Sequence, residues 1–216
     1  VNAVLQLEPS SSPRLSQACA RLGDAAPATL TAIGDPALLE NPNLTALLCS
    51  HRLPGDLILP AYDLARALRA EGVPVIGGFH APMEREALRL LMRGEQPIIH
   101  VPARGLEGMR LTKEQRTAID AGRLLLLSPF DARESRLTAP LAAQRNRLVG
   151  ALADRVLIIH ASPGGQVEAL CRTFLSWAKP VYALPGEGNA HLFAAGVEAW
   201  GVADIHIDVQ GRRVQR

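Results

Sequence analysis

Aromatic residues are scarce in this chain of 216 residues, with two Trp, two Tyr and four Phe. Lysine is scarcer, since Lys113 and Lys179 are the only two among 23 cationic side chains. Near-exclusive use of arginine suits bidentate contacts to phosphate or carboxylate, although GC-rich coding gives the same bias. A net charge of +2 does not by itself mark a nucleic-acid binder. Cys19, Cys49 and Cys171 are odd in number and widely separated, with no CxxC or Cys/His spacing. This excludes a disulfide framework and a zinc site. No apolar run approaches the roughly 18 to 20 residues of a membrane-spanning helix, and the start lacks a basic segment followed by an apolar core. A cytoplasmic protein with no membrane, metal or cofactor requirement is expected. Three chemical fingerprints are also missing. Without GxGxxG after the first strand or GxxxxGK[ST] anywhere, hydride transfer and ATP hydrolysis are disfavoured; without GxSxG, so is an α/β-hydrolase nucleophile.

What the chain does contain is alternation. Residues 1–43, rich in Pro, Ser and Ala, read as a lead-in segment carrying a short helix at Arg14–Leu22. From Leu44 onward, continuous apolar runs alternate with amphipathic stretches. Strands are expected at Leu44–Cys49, Pro74–Ile76, Pro97–Val101, Arg123–Leu127, Arg155–His160 and Pro180–Leu184. Helices are expected at Leu59–Ala70, Pro82–Arg93, Thr112–Ala121, Thr138–Ala153, Gln166–Trp177 and Asn189–Ala199. In the first of these helices Ala61, Leu64, Ala65 and Leu68 share one face. Strands that are apolar throughout, not at every second residue, are buried on both faces. Residues 44–216 therefore read as one α/β domain, a doubly wound, mostly parallel sheet with helices on both faces.

Ligands of open parallel sheets bind beyond the strand carboxyl ends, which directs attention to the turns there. Gln144–Glu168 is the most informative stretch. Arg145 falls inside the apolar stripe of Leu141, Leu148, Val149 and Leu152, and a charge in that position needs a partner or a ligand. The turn Ala161-Ser162-Pro163-Gly164-Gly165 then opens a helix whose first N–H groups attract anions. Other turns bring Ser50, His51, Arg52, Gly77, Gly78, His80, Gly186 and Asn189 to the same edge. Each also has a plainer reading: Ser50 as a helix cap, Gly77-Gly78 as a tight turn, and the histidines as loop residues. Glu84 and Glu86 read as the solvated face of a helix, with Glu84 also suited to its dipole.

Several segments together resemble a family. LTAIGDPALLENPNLTALLCSHR (30–52) resembles the entry to the DprA/Smf DNA-processing proteins, with Ser50 and Arg52 in the places of a Gly-Ser-Arg turn and Cys49 in the Gly place. VPVIGGFHAPMEREAL is similar to the family's following strand and helix in a shortened form. QRNRLVGALADRVLIIHA with SPGG matches its Arg-Asn segment, placing Arg145, Asn146, Ser162 and Gly164, and AKPVYALPGEGN resembles its closing strand and turn. The resemblance implies a Rossmann-like domain that binds single-stranded DNA in a basic pocket, forms a homodimer, and loads RecA during transformation or recombination. Its pocket would comprise Ser50, Arg52, Gly77, Gly78, His80, Arg145, Asn146, Ser162, Gly164, Gly165, Gly186 and Asn189. Sequence-tolerant binding also uses rings for base stacking, and Phe79, Phe130 and Tyr182 are the candidates near turns. A related family supplies an alternative. Arg145 with Pro163-Gly164-Gly165-Gln166-Val167-Glu168 is similar to a shortened LOG-type phosphoribohydrolase motif, in which Arg145 would hold a nucleotide phosphate and Glu168 would stabilise oxocarbenium charge. A third alternative is a nucleotide-sensing domain without catalysis.

Overall fold

The computed structural model describes residues 3–134, 136 and 138–209. Among them a single sheet of nine strands is formed: β1 Leu5–Leu7, β2 Leu30–Ile33, β3 Thr45–Cys49, β4 Val75–Gly77, β5 Ile98–His100, β6 Leu124–Ser128, β7 Arg155–His160, β8 Val181–Ala183 and β9 Glu198–Ala199. The helices are α1 Pro13–Leu22, α2 Ile58–Ala70, α3 Pro82–Leu91, α4 Lys113–Asp120, α5 Ala139–Leu152, α6 Gln166–Ser176, α7 Ala190–Ala194 and α8 Val202–Val209. The strand order is β1-β2-β6-β5-β4-β3-β7-β8-β9. From β3 the chain winds outward through β4 and β5 to β6, and α5 then carries it back across the sheet to β7, beside β3. From there it winds outward the other way, so the β3/β7 boundary is the topological switch point, where the loops diverge and leave a crevice.

Each face has its own apolar core. One side collects Leu15, Leu22, Leu148, Leu152, Leu170 and Phe174 from α1, α5 and α6. The other collects Leu64, Leu68, Ala87, Leu91 and Ile119 from α2, α3 and α4. The apolar face expected for α2 is confirmed, with Ala61, Leu64, Ala65 and Leu68 all buried. Each fully buried leucine is worth roughly 1.5–3 kcal/mol. Local signals set the helix starts: the Ser12 side chain accepts from Leu15 N at 3.1 Å and Pro13 takes the first turn, while Thr138 caps α5 through Leu141 N. On α5 a methyl group at Gly150 would overlap the Phe174 ring of α6, so glycine permits the close approach of the two helices.

Two expectations are corrected. Residues 1–43 are not a lead-in, because β1 and β2 lie within them and add to the sheet antiparallel, β2 pairing with β6 through Thr31–Ser128, Ala32–Leu127 and Ile33–Leu126. Leu15, Ala18, Leu22 and Leu30 of the same segment belong to the core. Strands of three and four residues are too short to show a period. The helix expected at Asn189–Ala199 is instead α7 followed by β9, separated at Gly196, whose φ of +92° a continuing helix does not allow. Among the described residues no helix is long and apolar enough to cross a membrane.

Candidate functional site

A cleft of about 390 Å³ opens at the switch point. The turn after β3 supplies Cys49, Ser50, His51 and Arg52, the turn after β4 supplies His80 and Ala81, α5 supplies Arg145 and Asn146, and Ser162, Gly165, Gln166 and Val167 close it at the start of α6. Ser50, Arg52, His80, Arg145, Asn146, Ser162 and Gly165, expected together from sequence, therefore meet in one place. His51, Arg52 and His80 are exposed at the mouth. Ser50 Oγ accepts from Ser162 N at 2.9 Å, which ties the β3 turn to the β7 turn across the crevice.

Beneath this mouth lies a charge network that the sequence did not reveal. Arg145 is only 2% exposed; its Nη1 donates to Val101 O at 3.1 Å, and its Nε has no partner. Its guanidinium lies against the backbone of Gly78, where any Cβ would overlap it. Gly78 is thus needed for Arg145 and does not line the cleft, and Gly77 ends β4 with the Phe79 ring packed over it. The counter-charge is Glu84. Expected on a solvated face, it is 3% exposed, and its carboxylate accepts from Cys49 N at 2.8 Å, His80 N at 2.8 Å and Ala81 N at 3.3 Å. One carboxylate therefore pins the β3 turn to the β4 turn. Burial raises the Glu84 pKa, while the charge of Arg145 and the three amides pull it down; burial lowers that of Arg145, and Glu84 opposes this. Glu86 is half-buried and pairs with Arg89 at 3.1 Å.

The mouth is electropositive. Partial burial and then the charges of Arg145, Arg85 and His51 hold His80 below the usual histidine pKa. His100, packed edge-on against Phe79, is pushed down to about 4 by burial and by Arg145. α6 has no side-chain cap at its start, so its first-turn dipole faces the cleft at Gly165, Gln166 and Val167. The neighbouring Gly164 N–H does not: it donates to Glu168, whose other oxygen pairs with Arg172 at 2.7 Å. These partners hold the Glu168 carboxyl below its ordinary pKa, and it does not line the cleft. The hydrolase role weighed for Glu168 thus lacks its geometry.

Asn189 is fully buried, donating to Ile159 O and Leu184 O at 2.8 Å and accepting from Ala161 N. It fastens the β8 turn from inside. Gly186 packs on Leu57, outside the cleft. The rings proposed for stacking are also elsewhere: Phe79 and Phe130 are buried, and Tyr182 rests on Trp200 with centroids 5.1 Å apart. Sequence reasoning missed Glu84, whose one local signal was its place in the first turn of a Pro-initiated helix.

Comparison with known proteins agrees with this architecture. The model of the family named DNA recombination-mediator protein A matches residues 6–200. No curated protein matches the sequence. Among solved structures, DNA processing protein A from Helicobacter pylori, described for its single-stranded DNA binding mode, is 24% identical, with 97% of this chain and 95% of that one covered at a TM-score of 0.75. Its counterpart from Streptococcus pneumoniae is 19% identical, covering 94% and 74% at 0.76. The molybdenum cofactor carrier protein of Chlamydomonas reinhardtii is more distant, 15% identical over 80% of this chain and 98% of that one, at 0.52. At such identities the shared property is the fold.

Proposed function

Because the chain belongs to the DNA recombination-mediator protein A family, we propose that its switch-point cleft binds single-stranded DNA through the phosphates, with no chemical step required. The observation that supports this most is the convergence of exposed Arg52, His51 and His80 with the uncapped start of α6, above the buried charge of Arg145. Ser50, Asn146, Ser162 and Gly165 complete the lining, while Gly77, Gly78, Gly164, Gly186 and Asn189 shape the turns around it. Cations and helix N–H groups neutralise phosphate without reading sequence. The family further suggests a cytoplasmic homodimer that hands the strand to RecA during recombination or transformation.

The test is fluorescence anisotropy with a labelled oligothymidylate of about twenty nucleotides at low salt. Saturable binding is expected, weakened about tenfold or more in the Arg52→Ala/His80→Ala double variant with its melting temperature unchanged. Absence of binding, or indifference to both substitutions, would remove this cleft as the strand site. Incubation with nucleoside 5′-monophosphates should release no base.

A further inference from the structure

We infer that the β1 edge of the sheet, away from the switch-point cleft, is a docking site for an extended acidic peptide. β1 ends the strand order and pairs only with β2. Outside that ladder, Val4 to Leu7 make no backbone hydrogen bond among the described residues, so the outer edge keeps N–H and C=O groups open to a further strand. The edge is also apolar, with Val4 37% and Leu5 40% exposed. Natural edge strands are commonly blunted by charge or proline, and Val4-Leu5-Gln6-Leu7 contains neither.

Beside Val4, between β2 and the segment leading into α4, lies a groove of about 560 Å³, larger than the switch-point cleft. On the α4 side of the sheet, β1 and β2 contribute only Ile33 to the core, which leaves this part of the face open. Buried Ile33 and Leu106 form the floor of the groove, and Val4, Met109 and Leu111 its walls. The flexible thioether of Met109 adapts to side chains of different shape. Arg110 and Arg116, both exposed, complete the lining. Neither guanidinium has an ion pair or side-chain hydrogen bond among the described residues, and no carboxylate lines the groove. Each part selects a different feature of the occupant. The open edge takes the main chain of an added strand, the aliphatic floor takes an apolar side chain, and the two free guanidiniums take carboxylates. Side chains two apart share a face of a strand, so the segment that fits carries Asp or Glu two positions from a bulky apolar residue. A nucleic-acid strand supplies anions but no apolar side chain for the floor, and a helix leaves the β1 edge unpaired.

The experiment pans random dodecapeptides displayed on phage against the intact chain and measures the enriched peptides, synthesised with a fluorescent label, by anisotropy. Enrichment of acidic residues around an apolar anchor is expected. Binding should weaken about tenfold or more in the Arg110→Ala/Arg116→Ala double variant, with its melting temperature unchanged, and should be unaffected by Arg52→Ala. N-methylation of alternate peptide residues should abolish binding in one phase and spare it in the other, because only every second N–H of a strand faces a given neighbour. Absence of enrichment, equal binding to the double variant, or tolerance of N-methylation in both phases overturns the inference. Displacement of the peptide by oligothymidylate also overturns it, assigning the two arginines to nucleic acid, as does a dimer that dissociates in the double variant on sedimentation, which makes a second copy of the chain the occupant.

Discussion

At the carboxyl end of the sheet, Arg52 and Arg145 gather around the start of α6; at the opposite end, Arg14, Arg21 and Lys179 surround the finish of α5. Each member of the second group donates to a backbone carbonyl at the end of α5. Arg14 donates to Leu152 O at 2.9 Å and to both oxygens of Asp154, Arg21 to Ala151 O at 3.4 Å, and Lys179 to Ala153 O. Cations at a helix C-terminus satisfy carbonyls that have no intrahelical partner and complement the negative end of the dipole, so this end is a structural clasp. The hollow among them is only about 130 Å³. At the carboxyl end the dipole is reversed and the cations have no carbonyl row to cap. Arg145 there answers one carboxylate, Glu84, and Arg52 is exposed at the mouth. The same residue type therefore staples one end, while at the other Arg145 is buried beside Glu84 and Arg52 is left exposed near a helix start.

The largest expected effect probes the buried charge. Arg145→Met leaves Glu84 uncompensated in the interior and should cost about 3–5 kcal/mol, read by urea unfolding. Adding Glu84→Gln, which removes the charge and keeps an acceptor for the backbone amides, should restore part of that loss; a double variant no more stable than the single one would mean that the two residues are not a pair. Next in size is the clasp. Lys179→Met strands the Ala153 carbonyl and should cost about 1–3 kcal/mol while leaving strand binding as it was. Lys179 also predicts a pH signature. Burial first, and then the neighbouring Arg21, lower its pKa to about 8 from 10.5. Between these values the unfolded chain holds more protons than the folded one, so stability should rise with pH across that window. Urea unfolding at pH 7.5, 9 and 10.5 should show wild type gaining stability relative to Lys179→Met; parallel curves would rule out the lowered pKa.

Much of this was legible in the sequence because β3, β6 and β7 are buried on both faces and so appear as unbroken apolar runs. The Arg145 anomaly was legible for the same reason, as a charge inside an apolar helical stripe. Its partner was not. Glu84 sits where helix starts commonly carry a solvated acid, and only the parallel pairing of β3 with β4 brings Cys49, His80 and Ala81 together around its carboxylate. Asn189 was misleading in the opposite sense: a polar residue after Pro-Gly suggests a ligand contact, yet its side chain is held by Ile159 O, Leu184 O and the His160 ring. β2 went unseen because its four residues acquire meaning only beside β6.

The smallest effect in free energy bears most directly on the contrast between the two ends. Binding of the oligothymidylate is measured across a series of salt concentrations for wild type, Arg52→Ala and Arg21→Ala. Each phosphate neutralised by a cation contributes about 0.7 to the salt slope for a single strand. Arg52→Ala should flatten the slope by about that amount, and Arg21→Ala should leave it unchanged. A slope reduced as much by Arg21→Ala as by Arg52→Ala would place the strand at the clasp, and the distinction drawn between the two ends of the sheet would be wrong.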